Sequence, residues 1–241
     1  MATASGYVFV GYPVVFLYGL QTSSDEPGFV EIFLKDPITG HFVLPPGVSA
    51  TYSCSFGGMN ACGASISAAT ITTTPPLAVA AIGAPFAGDL DEGSFDFVVC
   101  NAVANPSVTP ICQAIYSELG LTNQGMLGMA TAVSTDSTNV YAFIGAPGQL
   151  INPGYVIALV CPYDTTLTNP VSCNSPQKLT FSNQGGNANA LNTFGHQIAA
   201  VNNLAVVADT QNQVATVIVC VSSVCSPSPT LLSPSTISRT S

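Results

Sequence analysis

Positive charge is almost absent from this sequence. Lys35, Lys178 and Arg239 are its only basic residues besides two histidines, against twelve Asp and Glu, and the formal net charge is −9. Nucleic-acid binding needs a basic footprint to displace counterions, so no nucleic acid is expected as a partner. Attraction to an anionic membrane surface is disfavoured for the same reason. Charge of either sign is scarce, at 6% of residues where about a quarter is usual. The surface must then be made of Ser, Thr, Asn, Gln, Gly and Pro, which suits a chain covered by sugars or by neighbours. Long apolar runs are missing too. Hydrophobic residues make up 47% of the chain, yet no stretch approaches 18 uninterrupted apolar residues, and no membrane insertion is expected. There is no Trp, no Cys-x-x-Cys, no Gly-x-Ser-x-Gly elbow and no Asn-x-Ser/Thr sequon with an allowed middle residue. These gaps argue against a zinc knuckle, a serine-hydrolase elbow and standard N-glycosylation.

What is present is repetition. The segment Ser175–Cys225 reads as four short strands, at Gln177–Ser182, Phe194–Ala200, Leu204–Ala208 and Val214–Cys220, separated by Gly and Asn clusters. Leu77–Pro85 (LAVAAIGAP) aligns with Val140–Pro147 (VYAFIGAP), with Leu204–Thr210 (LAVVADT) and more loosely with Tyr7–Pro13 (YVFVGYP). A second strand of eight residues follows each copy: Gly28–Lys35, Gly93–Cys100, Gly154–Cys161 and Gln213–Cys220. Before three of the four sits a Gly-led strand, Gly63–Ala68, Gly128–Ala132 or Gly195–Ala199. The anchors Gly11, Gly83, Gly145 and Ala208 lie 72, 62 and 63 residues apart. One four-stranded sheet per unit is the pattern of a propeller or a similar array. The expected fold is therefore all-β: a β-propeller-like array of four four-stranded antiparallel repeats. The repeats run over about 1–54, 55–119, 120–182 and 183–225.

The order Gln177–Thr180, Phe194–Ala199, a hydrophobic run closed by Gly83–Pro85 or Gly145–Pro147, then Gly154–Val156, resembles the FG-GAP repeats of integrin-α-type β-propellers. It is closest to the calcium-free variety of extracellular microbial and protist proteins. Cys62-Gly63 and Leu127-Gly128 replace Phe-Gly, and Ala208-Asp209-Thr210 replaces Gly-Ala-Pro. The resemblance implies an adhesion or ligand-binding module, recognising protein or glycan through loops on one face. It also implies an acidic calcium loop before each Gly-Ala-Pro strand. The matching segments, Thr70–Pro76, Ser134–Asn139 and Val201–Asn203, hold one carboxylate, Asp136. A hard cation wants several oxygen ligands, so no calcium is expected there.

The eight cysteines form local pairs, Cys54/Cys62, Cys100/Cys112, Cys161/Cys173 and Cys220/Cys225. They are read as disulfides, one per repeat, across the hairpin after the third strand; the alternative is free buried thiols. Disulfides place the chain outside the cell or on its surface. Gly6–Leu20 is apolar without a basic segment before it. It aligns with the repeats, so it is assigned to strands rather than to a signal peptide. The first repeat is expected to lack its first strand. The tail, 226–241, is rich in Ser, Thr and Pro and reads as a stalk or linker. Its candidate O-glycosylation sites are Ser226, Ser228, Thr230, Ser233, Ser235 and Thr236. Leu231 and Leu232 are available to dock as an edge strand.

No catalytic constellation stands out. His41 follows Gly40 in a loop, and His196 lies at a variable repeat position. Neither has a nucleophile–base partner in sequence. The acidic groups Asp25/Glu26 and Asp89/Asp91/Glu92 read as solvated loops. Tyr12, Tyr18, Tyr141, Tyr155 and Tyr163 read as packing residues before sugar platforms. No cofactor or metal is expected. The leading expectation is a non-enzymatic extracellular structural protein, a subunit of a cell-surface, matrix or filamentous assembly. Its partners would be copies of itself or other extracellular proteins, with glycans as a further possibility.

Overall fold

The structure is a computed structural model. It describes residues 1–13, 28–36, 38–44, 51–56, 61–74, 76–88, 91–101, 112–120, 125–148, 154–164, 170–180, 194–209 and 214–232. These residues form four antiparallel sheets in chain order. The first holds β1 (Ala2–Ala4), β2 (Tyr7–Tyr12), β3 (Phe29–Lys35), β4 (Phe42–Val43) and β5 (Thr51–Tyr52). The second is the meander β6 (Ser65–Ile71), β7 (Leu77–Ala84), β8 (Ser94–Asn101) and β9 (Cys112–Leu119). The third is β10 (Ala130–Thr135), β11 (Asn139–Ala146), β12 (Tyr155–Pro162) and β13 (Gln177–Thr180). The fourth is β14 (Phe194–Val201), β15 (Leu204–Asp209), β16 (Val214–Val221) and β17 (Val224–Leu232). Among the described residues, no helix is long and apolar enough to cross a membrane.

The central strands explain the apolar composition. β7 and β11 are apolar on both sides of the pleat, and nearly every residue is buried. A strand with two apolar faces must lie between two cores. Three cores join the four sheets. Tyr7, Phe9, Val30 and Ile32 of the first sheet pack on Ala78, Ala80, Ile82 and Val98 of the second. Val79, Phe95 and Phe97 of the second pack on Ala142, Ile144, Tyr155 and Ile157 of the third. Phe143, Val156 and Val160 of the third pack on Phe194, Val207 and Ile218 of the fourth. Among the described residues no core joins the fourth sheet to the first. The arrangement of the described sheets is propeller-like.

Each joint is made at a pair of glycines. A Cβ on Gly11 would lie 2.1 Å from the carbonyl oxygen of Gly63, one on Gly83 2.0 Å from that of Gly128, and one on Gly145 1.9 Å from that of Gly195. Gly63, Gly128 and Gly195 also have φ of +84°, +92° and +94°, which only glycine adopts without strain. The residue before each, Cys62, Leu127 or Phe194, is buried in the joint. The three different side chains at the Phe-Gly position thus plug one equivalent site.

Several expectations change. The first repeat has its first strand, because Ala2–Ala4 pairs with Tyr7–Phe9 across a tight turn with positive φ at Ser5 and Gly6. Its fourth strand is split between β4 and β5, both paired with β3. Gln177–Thr180 pairs with β12, not with β14, so the four strands read in Ser175–Cys225 belong to two sheets. Thr70 and Ile71, read as loop, finish β6. Ser226–Leu232, read as the start of a tail, pairs with β16, so the fourth sheet runs to Leu232.

All four disulfides form as paired above. Cys100–Cys112 and Cys220–Cys225 link residues directly opposite in the third and fourth strands. Cys161–Cys173 closes the corresponding hairpin from the end of β12. Cys54–Cys62 is different, because Lys35 stands at the end of the third strand where the other repeats have cysteine. Cys54 instead reaches Cys62, the plug of the joint to the second sheet.

Candidate interaction surface

The side chains weighed for chemistry are mostly occupied in holding the fold. Asp136 heads the β10–β11 turn. Its Oδ1 accepts from the backbone N–H groups of Thr138 and Asn139 at 2.7 and 2.8 Å. Its Oδ2 accepts from the Tyr141 hydroxyl at 2.6 Å. Tyr163 donates to its main-chain carbonyl at 3.0 Å. Burial pushes the Asp136 carboxyl up, but the hydrogen bonds from Tyr141, Thr138 and Asn139 outweigh it and hold the group below its ordinary value. Burial first, then the Asp136 hydrogen bond and charge, push Tyr141 up to about 12.

A prediction follows for acid stability. A depressed carboxyl stabilises the fold above its unfolded pKa, and this contribution is lost as pH falls through the folded value. Asp136→Asn removes the titration while keeping an oxygen acceptor. Urea midpoints measured from pH 2 to 6 are expected to fall more steeply below pH 4 in the parent than in the variant. Parallel curves would remove Asp136 from the acid response.

Asp96 is the buried carboxylate of the first joint. It lies on β8 and its Oδ2 accepts from the Tyr52 hydroxyl at 2.8 Å and the Ser55 N–H at 2.7 Å. Asp91 and Glu92 form a turn whose carbonyls accept from the N–H groups of Met126 and Leu127. That acidic turn is therefore a backbone anchor of the second joint. Asp25, Glu26 and Asp89 lie outside the described residues.

His41 is exposed in the turn headed by Asp36. His196 sits at the bulge that opens β14. All eight cysteines are in disulfides, so no thiol nucleophile stands beside either. Among the described residues no three His, Cys, Asp or Glu side chains are grouped to hold a metal. Tyr155 is buried under the Lys178 ammonium, 4.1 Å from its ring centre. Tyr12 alone of the described candidate tyrosines is exposed, stacked on Phe29 at 4.9 Å. Tyr18, Ser233, Ser235 and Thr236 lie outside the described residues, as does the side chain of Thr230. Ser226 is exposed and Ser228 half-buried on β17.

One surface escaped the reading of the sequence. The outer face of the fourth sheet is apolar across its middle, with Gln197 and Ser226 as polar residues on its two edge strands. Register places Ala199, Val206 and Val217 in one row, Val201, Leu204 and Val219 in the next, and Val221 beside Val224. Val201, Val221 and Val224 are 62%, 69% and 63% exposed. Scattered exposed apolar residues are ordinary, but a contiguous set marks a contact surface. The signal was available: β15 and β16 carry apolar residues on both faces, like the doubly covered strands β11 and β12. In comparisons with known proteins, the chain matches no family model and no curated protein.

Proposed function

We propose that this chain is a non-enzymatic extracellular structural protein, a subunit of a cell-surface, matrix or filamentous assembly, built on an FG-GAP-type array of sheets. The observation that carries this reading is the apolar outer face at the fourth sheet. Its residues stand at the positions that form an internal joint in the third sheet, and among the described residues no sheet covers them. Four disulfides in a chain of this size fit an oxidising compartment. The low share of charged residues, 6%, supports the same reading, because much of the surface can be covered without desolvating a charge. Electron microscopy of native, non-reduced protein from its source is the test. Regular fibres or sheets are expected. Monodisperse single particles would sink the structural reading and favour a binding module that works through its loops.

A further inference from the structure

Resting on that structural reading, we infer that the joint between subunits is face to face. The outer face of the fourth sheet seats the outward face of the first sheet of a second copy. In the third sheet, Tyr141 and Phe143 of β11 and Val156, Ala158 and Val160 of β12 face the next sheet. The matching residues of the fourth sheet are Leu204 and Val206 of β15 and Ala215, Val217 and Val219 of β16. They occupy the positions that bind a following sheet, and among the described residues no sheet covers them. The chain carries a complementary face at its other end. In the second sheet, Ala80, Ile82, Ala84 and Val98 face the preceding sheet. Their counterparts in the first sheet are Val8, Val10, Tyr12 and Phe33, and Glu31 lies opposite Val10 on the same face, as Asp96 lies opposite Ile82 in the second sheet. Tyr12 is exposed, Val10 and Phe33 are half-buried, and Val8 is buried.

Every joint inside the chain pairs these two kinds of face, so one copy presents both halves of a fourth joint. Such an interface is heterologous and propagates head to tail. Edge-to-edge joining is the rival geometry, and β17 disfavours it. It is the outer strand of its sheet and carries Pro227 and Pro229, which lack the N–H that an added strand would need. Ser226–Leu232 is also already paired within its own chain, so it is not a strand free for donation.

The joint should be looser than those inside the chain. Ala208 stands where Gly11, Gly83 and Gly145 make their backbone contacts. A four-stranded face of about seven residues per strand covers roughly 450 Å². That is below the ~800 Å² per partner of a standard stable interface. Association is therefore expected to depend on concentration.

Sedimentation of the purified, oxidised full chain tests this. The parent should grow in mean mass with concentration. Val206→Asp, on the fourth-sheet face, and Val10→Asp, on the first-sheet face, should each weaken association by about tenfold or more. Mixed together, the two variants should form dimers and stop there, because each keeps one intact face. Tyr12→Asp, at an exposed site, replaces Val10→Asp if that variant loses its parental melting transition. A Val206→Asp chain that still polymerises overturns the joint, whereas fibres in the native material would leave the structural reading standing. A Val10→Asp or Tyr12→Asp chain that associates like the parent while Val206→Asp is monomeric overturns the first sheet as the partner face. A parent that stays monomeric at all concentrations overturns the joint outright, and native material without fibres would then remove the structural reading as well.

Discussion

Reduced and alkylated in urea, then returned to buffer, this protein is expected not to regain its fold. The disulfides close loops of 5, 8, 12 and 12 residues. On the loop-entropy account each contributes about 2–3 kcal/mol, or about 10 kcal/mol together. That equals most or all of the 5–15 kcal/mol that ordinarily separates a folded domain from its unfolded chain. Position adds to the argument. The fourth strands β9 and β13 alternate half-buried and exposed residues over much of their length, so burial alone holds them weakly. Disulfides at β9 itself and just before β13 tie them to third strands that are buried over nearly all of their described length. The reduction must be done in denaturant, because Cys62, Cys100 and Cys161 are fully buried. Circular dichroism and a thermal melt give the readout. A cooperative melt at the parental temperature, with all eight thiols blocked, would refute the claim.

Gly145→Ala is the second large effect. Its own backbone conformation accepts alanine, so any cost arises at the joint. The new methyl would lie 1.9 Å from the Gly195 carbonyl oxygen and 2.8 Å from its carbon. Both are backbone atoms, fixed by the strands on either side. Relief requires the third and fourth sheets to separate by about 1 Å along the whole core that contains Phe143 and Phe194. Overpacking of a rigid site costs about 1–3 kcal/mol and occasionally more, and the upper end is expected here. For a chain of this size 3 kcal/mol lowers Tm by roughly 6–12 °C. Gly40→Ala is the control. Gly40 has φ +73° but nothing within 4 Å of its would-be Cβ, so only the local cost of about 1 kcal/mol applies. Equal melting of the two variants would mean that the glycine contacts do not hold the sheets together.

The parts of the fold that were legible are those where few residue types work. Gly83 and Gly145 recur because a backbone-to-backbone joint excludes every side chain. The cysteine pairs recur because cross-strand disulfides fix both spacing and place. What escaped was either too short or too unlike a strand. Ala2–Ala4 has three residues and no alternation to detect. In β17, prolines and serines imitate a stalk. The strand is possible because it lies at an edge, where a missing N–H is tolerated. A bulge between Thr216 and Ile218 also absorbs the irregular register. Cys54–Cys62 was paired from spacing alone, but its role at a joint depends on Lys35 occupying the cysteine position of the hairpin. The apolar outer face of the fourth sheet required knowing which side of each strand was already covered, and that is a property of the assembled sheets.

The locality of the disulfides bears on how the chain acquires them. Eight cysteines allow 105 pairings. In this sequence each cysteine's partner is its neighbour along the chain, never more than 12 residues away. Short loops close with the least loss of entropy, so an unstructured chain already favours the native set. During synthesis, each pair also emerges well before the next, since Cys62 and Cys100 are 38 residues apart and Cys112 and Cys161 are 49. Oxidation can therefore proceed sheet by sheet from the N-terminus, and the correct connectivity is written into the order in which the cysteines appear.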